Sequence, residues 1–334
     1  MAYYFNLPII TDLTPSQQLV VNEVDPIAVS GGPGTGKTVV NLWRHIYNHE
    51  KGGKKSLLLT YTKTLEHYLK ATAATKNKSA SNHIDRTYRW TYNSSKEFYD
   101  EIIIDEAQDV ELERYYKVKK QCNDCSYGAD DAQSLYPDKH TSLDQLRDLF
   151  GNNEEYELDK NFRNSREILL FTKAAFPNHY IPQQVILGSR STGILPIELN
   201  IGWEFEDCVD QINEIISQFS SNTHNIGILV PGRNQVSKYF EALEEDNTIS
   251  KYEGEMTGLF SIENIHVTTY KSSKGLEFDT VIIPDFDSYK WYINNTSNTS
   301  ENDYYVALTR AKTNLFLITK NSLTGIDTST YETE

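Results

Sequence analysis

A run of eight residues near the start of the chain, Gly31 to Thr38 (GGPGTGKT), restricts the fold more than any other segment. It follows the apolar run Pro26 to Ser30, which predicts a buried strand, and it precedes the helical stretch Val39 to Asn48. A strand, a glycine-rich loop and a helix in this order are typical of a phosphate-binding βα unit in a parallel sheet.

The residue types in this loop explain why it would bind phosphate. Glycines permit tight backbone turns, so successive N–H groups converge on phosphate oxygens at the start of a helix. We expect Lys37 to reach the β- and γ-phosphates and the Thr38 hydroxyl to ligate Mg²⁺. The other loop residues predicted to contact the nucleotide are Gly31, Gly34, Thr35 and Gly36.

A second apolar run, Glu101 to Asp105, ends in two adjacent carboxylates, Asp105 and Glu106. We expect Asp105 to hold Mg²⁺ through water, and Glu106 to orient and deprotonate the attacking water. Together with the glycine-rich loop, this acidic strand end predicts hydrolysis of ATP or GTP.

The rest of the chain alternates short apolar runs with helical periodicity, which predicts an α/β fold with parallel sheets flanked by helices. We place a boundary near residue 155, so that residues 1–155 and 156–334 form two lobes. A loop is predicted over Asn294 to Asn302, and a loose tail over Asn321 to Glu334. The further strands are predicted at Ser56 to Thr62, Asn225 to Val230, His266 to Thr269, Thr280 to Pro284 and Asn314 to Thr319.

Charge and composition restrict the partners of the chain. Three cysteines in 334 residues and no long apolar run favour a cytoplasmic protein without disulfides or a membrane span. The net charge of −15 argues against a polycation that coats nucleic acid. Residues 44–89, however, carry ten Lys and Arg against three acids. This basic stretch is either a solvated face or a track for a phosphate backbone.

The segment Asp105-Glu-Ala-Gln108, followed by Asp109, resembles motif II of the UvrD/Rep/PcrA group of superfamily-one helicases. Further segments resemble the motifs of that group in the same order, from about residue 13 to residue 318. They are Leu13–Gln17 (Q motif), Leu59–Lys63 (Ia), Arg86–Tyr88 (Ib), Ala129–Tyr136 (III), Leu158–Ser165 (IV), Thr269–Phe278 (V) and Tyr305–Lys312 (VI).

The resemblance implies two tandem RecA-like lobes that hydrolyse ATP in the cleft between them and bind single-stranded DNA, with RNA left open. It implies that Gln17 reads the adenine edge and that Gln133 senses the γ-phosphate. Phe162 would stack on the adenine, Glu277 would contact the nucleotide, and Arg163 and Arg310 would offset charge on the γ-phosphoryl group. The residues it assigns to nucleic-acid binding are Thr60, Thr62, Lys63, Thr87, Tyr88 and Thr269.

Two kinds of departure from the family pattern support an alternative function. The position of a base-stacking aromatic after motif III holds Asp138, followed by Lys139, and Lys271 replaces a motif V histidine. The stretches between motifs I and II and between motifs IV and V are too short for the large inserted subdomains of relatives. The alternative is an ATP-dependent regulatory or DNA-binding subunit that gates a protein partner, for example a nuclease, without unwinding.

Other candidate sites are weaker. Cys122 and Cys125 form a CxxC pair and His45 and His49 lie four apart, but neither pair has the further ligands that zinc requires. We interpret all four residues as structural. Among the aromatics near the basic stretch, we expect Tyr61 to lie partly in the core. Tyr88 or Trp90 either contacts nucleic acid or packs beneath the surface.

Overall fold

Two parallel β-sheets, each flanked by helices, form the fold. The computed structural model describes residues 7–51, 53–93, 97–134, 140–179, 181–202, 204–252, 262–296 and 299–334. The described residues up to Asn161 form a first compact unit, and those from Phe162 onward form a second. The predicted α/β class with two parallel sheets is therefore confirmed.

The first unit contains a six-stranded sheet in the order β3-β2-β4-β5-β1-β6, with every pairing parallel. Two of its inner strands, Ser56–Thr60 and Tyr99–Ile104, are rich in Leu and Ile because helices cover both faces of such a sheet. The strands are β1 Ile27–Gly31, β2 Ser56–Thr60, β3 Ile84–Arg86, β4 Tyr99–Ile104, β5 Cys122–Gly128 and β6 Glu154–Leu158. The helices are α1 Pro15–Asn22, α2 Lys37–Glu50, α3 Lys63–Ala74, α4 Lys78–Asn82, α5 Thr87–Tyr92, α6 Leu112–Lys119 and α7 Leu143–Leu149.

The second unit contains a seven-stranded sheet in the order β13-β7-β12-β11-β8-β10-β9, again parallel throughout. The strands are β7 Ile197–Asn200, β8 Ile226–Val230, β9 Ile249–Tyr252, β10 Ile265–Thr269, β11 Phe278–Ile283, β12 Ala311–Thr319 and β13 Glu332–Thr333. The helices are α8 Arg166–Ala175, α9 Gln183–Gly188, α10 Phe205–Phe219, α11 Arg233–Leu243, α12 Tyr289–Asn295 and α13 Glu301–Leu308.

The boundary between the units differs from the predicted one. Sequence analysis predicts it near residue 155, but that position lies inside β6. Strand β6 pairs with β1 along five residues, from Ile27 opposite Glu154 to Gly31 opposite Leu158. The first unit therefore extends to Asn161, because β6 completes the edge of its sheet next to the glycine-rich loop.

The prediction of a loose tail from Asn321 is wrong. Leu323, Ile326 and Tyr331 are buried and belong to a core cluster of the second unit. Strand β13 then pairs in parallel with β7, with Glu332 opposite Ile197. The polar composition of this segment conceals three apolar side chains, and it is those side chains that anchor it.

The sheet order of the first unit determines where chemistry can occur. Strands β4, β5 and β1 are neighbours, so their carboxyl ends lie along one edge of the sheet. Asp105 follows β4, Asp130 follows β5, and the glycine-rich loop follows β1. Parallel α/β sheets bind ligands at the carboxyl ends of strands, which identifies this edge as the candidate site.

Candidate functional site

The glycine-rich loop has backbone angles that few residues other than glycine adopt. Gly36 has a φ of +92° and stands directly before the first residue of α2, so it turns the loop into the helix. Gly31 has a φ of +146°, and a Cβ there would collide with the carbonyl oxygen of Leu158 in β6. Both glycines are therefore required by the turn and by the close approach of a neighbouring strand.

The side chain of Lys37 lies back over the loop. Its Nζ donates to the carbonyl oxygens of Gly31, at 2.7 Å, and Gly32, at 2.9 Å. It also lies 3.4 Å from Oδ2 of Asp130, and the residue is buried. The structure thus places a cation within the loop, where phosphate oxygens would approach the start of α2.

Asp105 is buried and receives one hydrogen bond on each carboxylate oxygen. Thr38 Oγ1 donates to its Oδ2 at 2.8 Å, and Asn41 Nδ2 donates to its Oδ1 at 2.9 Å. Burial, and then the charge of Glu106, raise the pKa of Asp105 to about 6. Asn41 was missed by sequence analysis, although it lies one helical turn from Lys37 on the same face of α2.

The Asn41 amide is held in a narrow space. A Cβ on Gly128, the last residue of β5, would collide with its Nδ2. Its Oδ1 is buried and has no hydrogen-bond partner among the described residues. A buried amide oxygen beside a carboxylate and a hydroxyl belongs to the set of oxygen ligands that Mg²⁺ and its bound waters prefer.

Glu106 lies at the start of a chain of polar side chains. Its backbone is left-handed, with a φ of +56°, a conformation that costs a non-glycine residue about 1–3 kcal/mol. Gln108 Nε2 donates to Glu106 Oε2 at 2.8 Å, while its Oε1 accepts from the backbone N–H of Asp130. Gln133 Nε2 then donates to Asp130 Oδ2 at 2.6 Å. The structure therefore brings the two predicted catalytic residues of the first unit into one network.

The side chain of Gln17 is hydrogen-bonded to the glycine-rich loop. Its Nε2 donates to the carbonyl oxygen of Thr35 at 3.1 Å, and its Oε1 accepts from the N–H of Thr14 as part of a capping box. Asn161, which sequence analysis did not select, donates from Nδ2 to the carbonyl oxygen of Pro33 at 2.6 Å. Two amide side chains from distant segments thus brace the loop.

In the second unit, Arg163 forms an ion pair with Glu277. Arg163 Nε lies 3.1 Å from Glu277 Oε2, and Lys312 Nζ lies 2.8 Å from Oε1. Burial would raise the pKa of Glu277, but the charges of Lys312 and Arg163 outweigh it and lower the pKa to about 2. Phe162 is about half exposed and presents a ring surface to solvent.

Arg310, predicted to act on the γ-phosphate, is almost completely buried in the second unit at 1% exposure. The residue lies between α13 and β12, directly before Ala311. Its guanidinium donates to the carbonyl oxygens of Val306 and Leu276 and to Oγ1 of Thr309. These bonds to Val306, Leu276 and Thr309 hold the orientation of the guanidinium.

The residues predicted to bind nucleic acid differ in accessibility. Thr60 and Thr87 have buried side chains, and Thr87 Oγ1 donates to the carbonyl oxygen of Thr60. Thr62 caps α3 by accepting from the N–H of Leu65 at 3.2 Å. Lys63 is partly exposed and Tyr88 is 57% exposed. Of this predicted interface, Tyr88 is exposed, Lys63 and the capping residue Thr62 are partly exposed, and Thr60 and Thr87 are buried.

The remaining predictions on aromatic and threonine residues have mixed outcomes. Thr269 is buried and accepts from the N–H of Ser272 at 3.2 Å, closing a turn after β10. Tyr61 packs against the core cluster of the first unit, which confirms its partial burial. Trp90 is buried in that cluster, so it packs beneath the surface. Positions 135–139, with the motif III departures at Asp138 and Lys139, lie outside the described residues.

The basic stretch 44–89 is not a continuous basic surface. Arg44 is buried, and its Nε bonds Oε1 of Glu101 in β4 at 2.7 Å. The exposed members are partly neutralised as well. Glu66 alone accepts from Lys70 at 2.7 Å, Arg86 at 3.1 Å and Arg89 at 2.7 Å. Counting charges along the sequence overestimates the positive charge of this surface, because acidic partners of several of the cations lie on neighbouring elements.

The cysteine and histidine pairs occupy structural positions. Cys122 and Cys125 lie in β5 with buried, free thiols. His45 bonds Ser56 Oγ through Nδ1 and the carbonyl oxygen of Ala80 through Nε2, and burial lowers its pKa to about 3.

Among the described residues, none of the helices has the length and apolar character needed to cross a bilayer.

Comparisons with known proteins give the following similarities. A family model described as the UvrD-like helicase C-terminal domain matches residues 42–322. The C-terminal domain of a possible DNA helicase from Lactobacillus plantarum is 19% identical, with a TM-score of 0.39, and the alignment covers 52% of this chain and 98% of that one. The PRRSV helicase is 13% identical, with a TM-score of 0.45, and the alignment covers 91% of this chain and 54% of the helicase. No curated protein matches the sequence.

Proposed function

Since the chain belongs to the UvrD-like helicase family, we propose that it is an ATP-driven motor that moves along single-stranded DNA. Membership of the family supports a helicase-type function in general. The observation that carries the specific proposal is the convergence of Lys37, Thr38, Asp105 and Glu106 at the carboxyl ends of β1 and β4. This arrangement has the charges and donors that a nucleoside triphosphate requires.

The phosphate chain of ATP fits the glycine-rich loop. The backbone N–H groups at the start of α2 and the Lys37 ammonium would both contact phosphate oxygens. Lys37 now bonds the carbonyl oxygens of Gly31 and Gly32, so a phosphate would compete with those acceptors. Gln17 and Asn161 keep the loop backbone in place by bonding two of its carbonyl oxygens.

The oxygen donors of Thr38 and Asp105 also fit Mg²⁺, because both are hard ligands and lie 2.8 Å apart. When bound, Mg²⁺ would neutralise charge on the β- and γ-phosphate oxygens. The residues of the chain have a separate task there. Thr38 and Asn41 hold both oxygens of Asp105 in a fixed orientation, so that the carboxylate is positioned in advance.

Glu106 is the proposed general base. A carboxylate next to the γ-phosphate can accept a proton from the attacking water and orient that water for in-line displacement. Gln108 Nε2 donates to Oε2 of Glu106 at 2.8 Å, which orients the carboxylate. We assign Gln133 to sensing the γ-phosphate, and Arg163 and Arg310 to offsetting its charge.

The test is steady-state ATP hydrolysis by the purified chain with and without oligo-dT. We expect the single strand to stimulate hydrolysis many-fold, and Glu106→Gln to lower kcat by about 10²- to 10⁴-fold while ATP still binds. Glu50→Gln, an exposed carboxylate at the end of α2, is the matched control and should retain full activity. Unchanged turnover in Glu106→Gln would refute the assignment of the base.

The same assay separates the motor from the alternative function. Hydrolysis that no single strand stimulates would favour a regulatory subunit that gates a partner protein. Directional displacement of streptavidin from a biotinylated oligonucleotide end would instead demonstrate translocation. A partial-duplex substrate in the same experiment then reports whether translocation also separates strands.

A further inference from the structure

Helix α5 carries two tyrosines that the packing of the first unit leaves in solvent. Tyr88 is 57% exposed and Tyr92 is 74% exposed. Residues four apart on a helix lie on the same face, so the two rings are neighbours on the surface. Single exposed aromatic residues are ordinary on protein surfaces, whereas adjacent ones form a patch of the kind found at binding surfaces.

Two cationic side chains of α6, Arg114 and Lys117, contact residues of helix α5. The Arg114 guanidinium lies 4.2 Å from the centroid of the Tyr88 ring, and its NH1 donates to Oγ1 of Thr91 at 2.7 Å. Lys117 Nζ bonds the carbonyl oxygen of Thr91 at 3.3 Å. Glu111 accepts from Arg114 Nε at 2.9 Å and balances part of this charge. The result is a surface, here called the tyrosine surface, formed by Tyr88, Tyr92, Arg114 and Lys117.

We propose that the tyrosine surface binds single-stranded nucleic acid, with bases stacked on Tyr88 and Tyr92 and phosphates paired with Arg114 and Lys117. Every base has a π-face, so aromatic rings next to cations suit a strand of any sequence. Local charge supports this occupant, because Arg114 and Lys117 both contact α5, the helix that carries the two rings. The inference rests on the proposed function and extends the predicted interface from Tyr88 to Tyr92 and to α6.

The experiment measures binding of fluorescein-labelled oligo-dT to the full chain by fluorescence anisotropy. Tyr88→Ala and Tyr92→Ala should each weaken binding by about tenfold, the usual effect of losing one stacked base. Tyr92→Phe keeps the ring and should bind as the wild type does. The matched control is Tyr116→Ala, because Tyr116 is 53% exposed on α6 and, two residues from Arg114, lies on another face of that helix.

The salt dependence of binding tests the cations separately. Lys117→Gln should lower the slope of log K against log salt by about 0.7, the value for one phosphate contact on a single strand. Wild-type protein that fails to bind oligo-dT would refute the proposed function and this inference together. Wild-type binding that Tyr88→Ala, Tyr92→Ala and Lys117→Gln leave unchanged would refute this inference alone, and would reassign the surface to a protein partner.

Discussion

Asn41 donates to one oxygen of Asp105 while Thr38 donates to the other, so an uncharged side chain orients the carboxylate assigned to Mg²⁺. The pattern around Lys37 gives little indication of this, since a single Asn in a helix is usually exposed. Its burial depends on Gly128, whose missing side chain leaves room for the amide. The contact joins residues that are far apart in sequence, so only the folded sheet shows it.

We predict that Asn41→Ala raises the Mg²⁺ concentration needed for half-maximal ATP hydrolysis by about tenfold. Loss of a group that orients a metal ligand typically costs that much in metal affinity. The measurement is a Mg²⁺ titration at saturating ATP, with Asn22→Ala at the exposed end of α1 as the control. Gly128→Ala should reproduce the effect, because its methyl group would displace the Asn41 amide. An unchanged Mg²⁺ requirement in both variants would contradict the assignment.

Helix α2 shows why the site residues were easier to predict than the buried polar residues that follow them in the same helix. Its first turn could be assigned from the GKT pattern alone. The following turns bury Arg44, His45 and Asn48, which a periodicity argument would place in solvent. Their partners are distant in sequence: Glu101 accepts from both Arg44 and Asn48. A buried ion pair of this kind cannot be recognised until both elements have been placed.

A cluster of three histidines, two of them on α2, predicts a loss of stability in mild acid. His45 lies 4.9 Å from the His49 ring, and His49 lies 5.1 Å from the His83 ring. Burial chiefly, and then its histidine neighbours, lower the pKa of His45 from 6.5 to about 3. The unfolded chain therefore binds a proton that the folded chain excludes, and stability is lost as the pH falls from 6.5 towards 3.

We expect this difference to reduce the free energy of unfolding by about 2 kcal/mol between pH 7 and pH 5. Urea denaturation of the wild type and of His45→Asn at both pH values measures it. The variant should lose about 2 kcal/mol less than the wild type over that interval, whatever its stability at pH 7. Parallel losses in the two proteins would show that His45 does not cause the acid sensitivity.

In both units, an acidic residue with left-handed backbone follows the carboxyl end of a core strand. Glu106 lies two residues after β4 and Asp285 lies two residues after β11, and these are the non-glycine residues with positive φ among the described part of the chain. Glu106 is placed in the candidate site, whereas Asp285 is paired with Lys320 at 2.8 Å. The same turn therefore supports chemistry in one unit and an ion pair in the other.

Across the whole molecule, the α/β class and the parallel sheets could be predicted because buried strands leave uninterrupted apolar runs such as Leu57 to Leu59. Strands β5 and β6 were missed, since their sequences, CNDCSYG and EEYEL, are polar. The tail was missed for the same reason. Pairing with a neighbouring strand stabilises these segments, and that interaction does not depend on an apolar pattern.

Removing residues 321–334 should destabilise the second unit and leave the first unchanged. The deletion removes the burial of Leu323, Ile326 and Tyr331, which costs about 5–9 kcal/mol at about 1.5–3 kcal/mol for each buried side chain. Hydrogen exchange followed by mass spectrometry should show faster exchange in peptides from β7 and β12. Exchange in peptides from β1 and β4 should remain as in the full chain. Uniform protection in both proteins would contradict the anchoring role of the tail.

The pairing of β13 with β7 has a consequence for the order in which the chain folds on the ribosome. All six strands of the first sheet have been synthesised by Leu158, so that unit can form while the rest is still being translated. The second sheet has its edge strand at Glu332–Thr333, and this strand pairs with Ile197 and Glu198. The edge of β7 that pairs with β13 therefore stays unpaired until translation has passed residue 333.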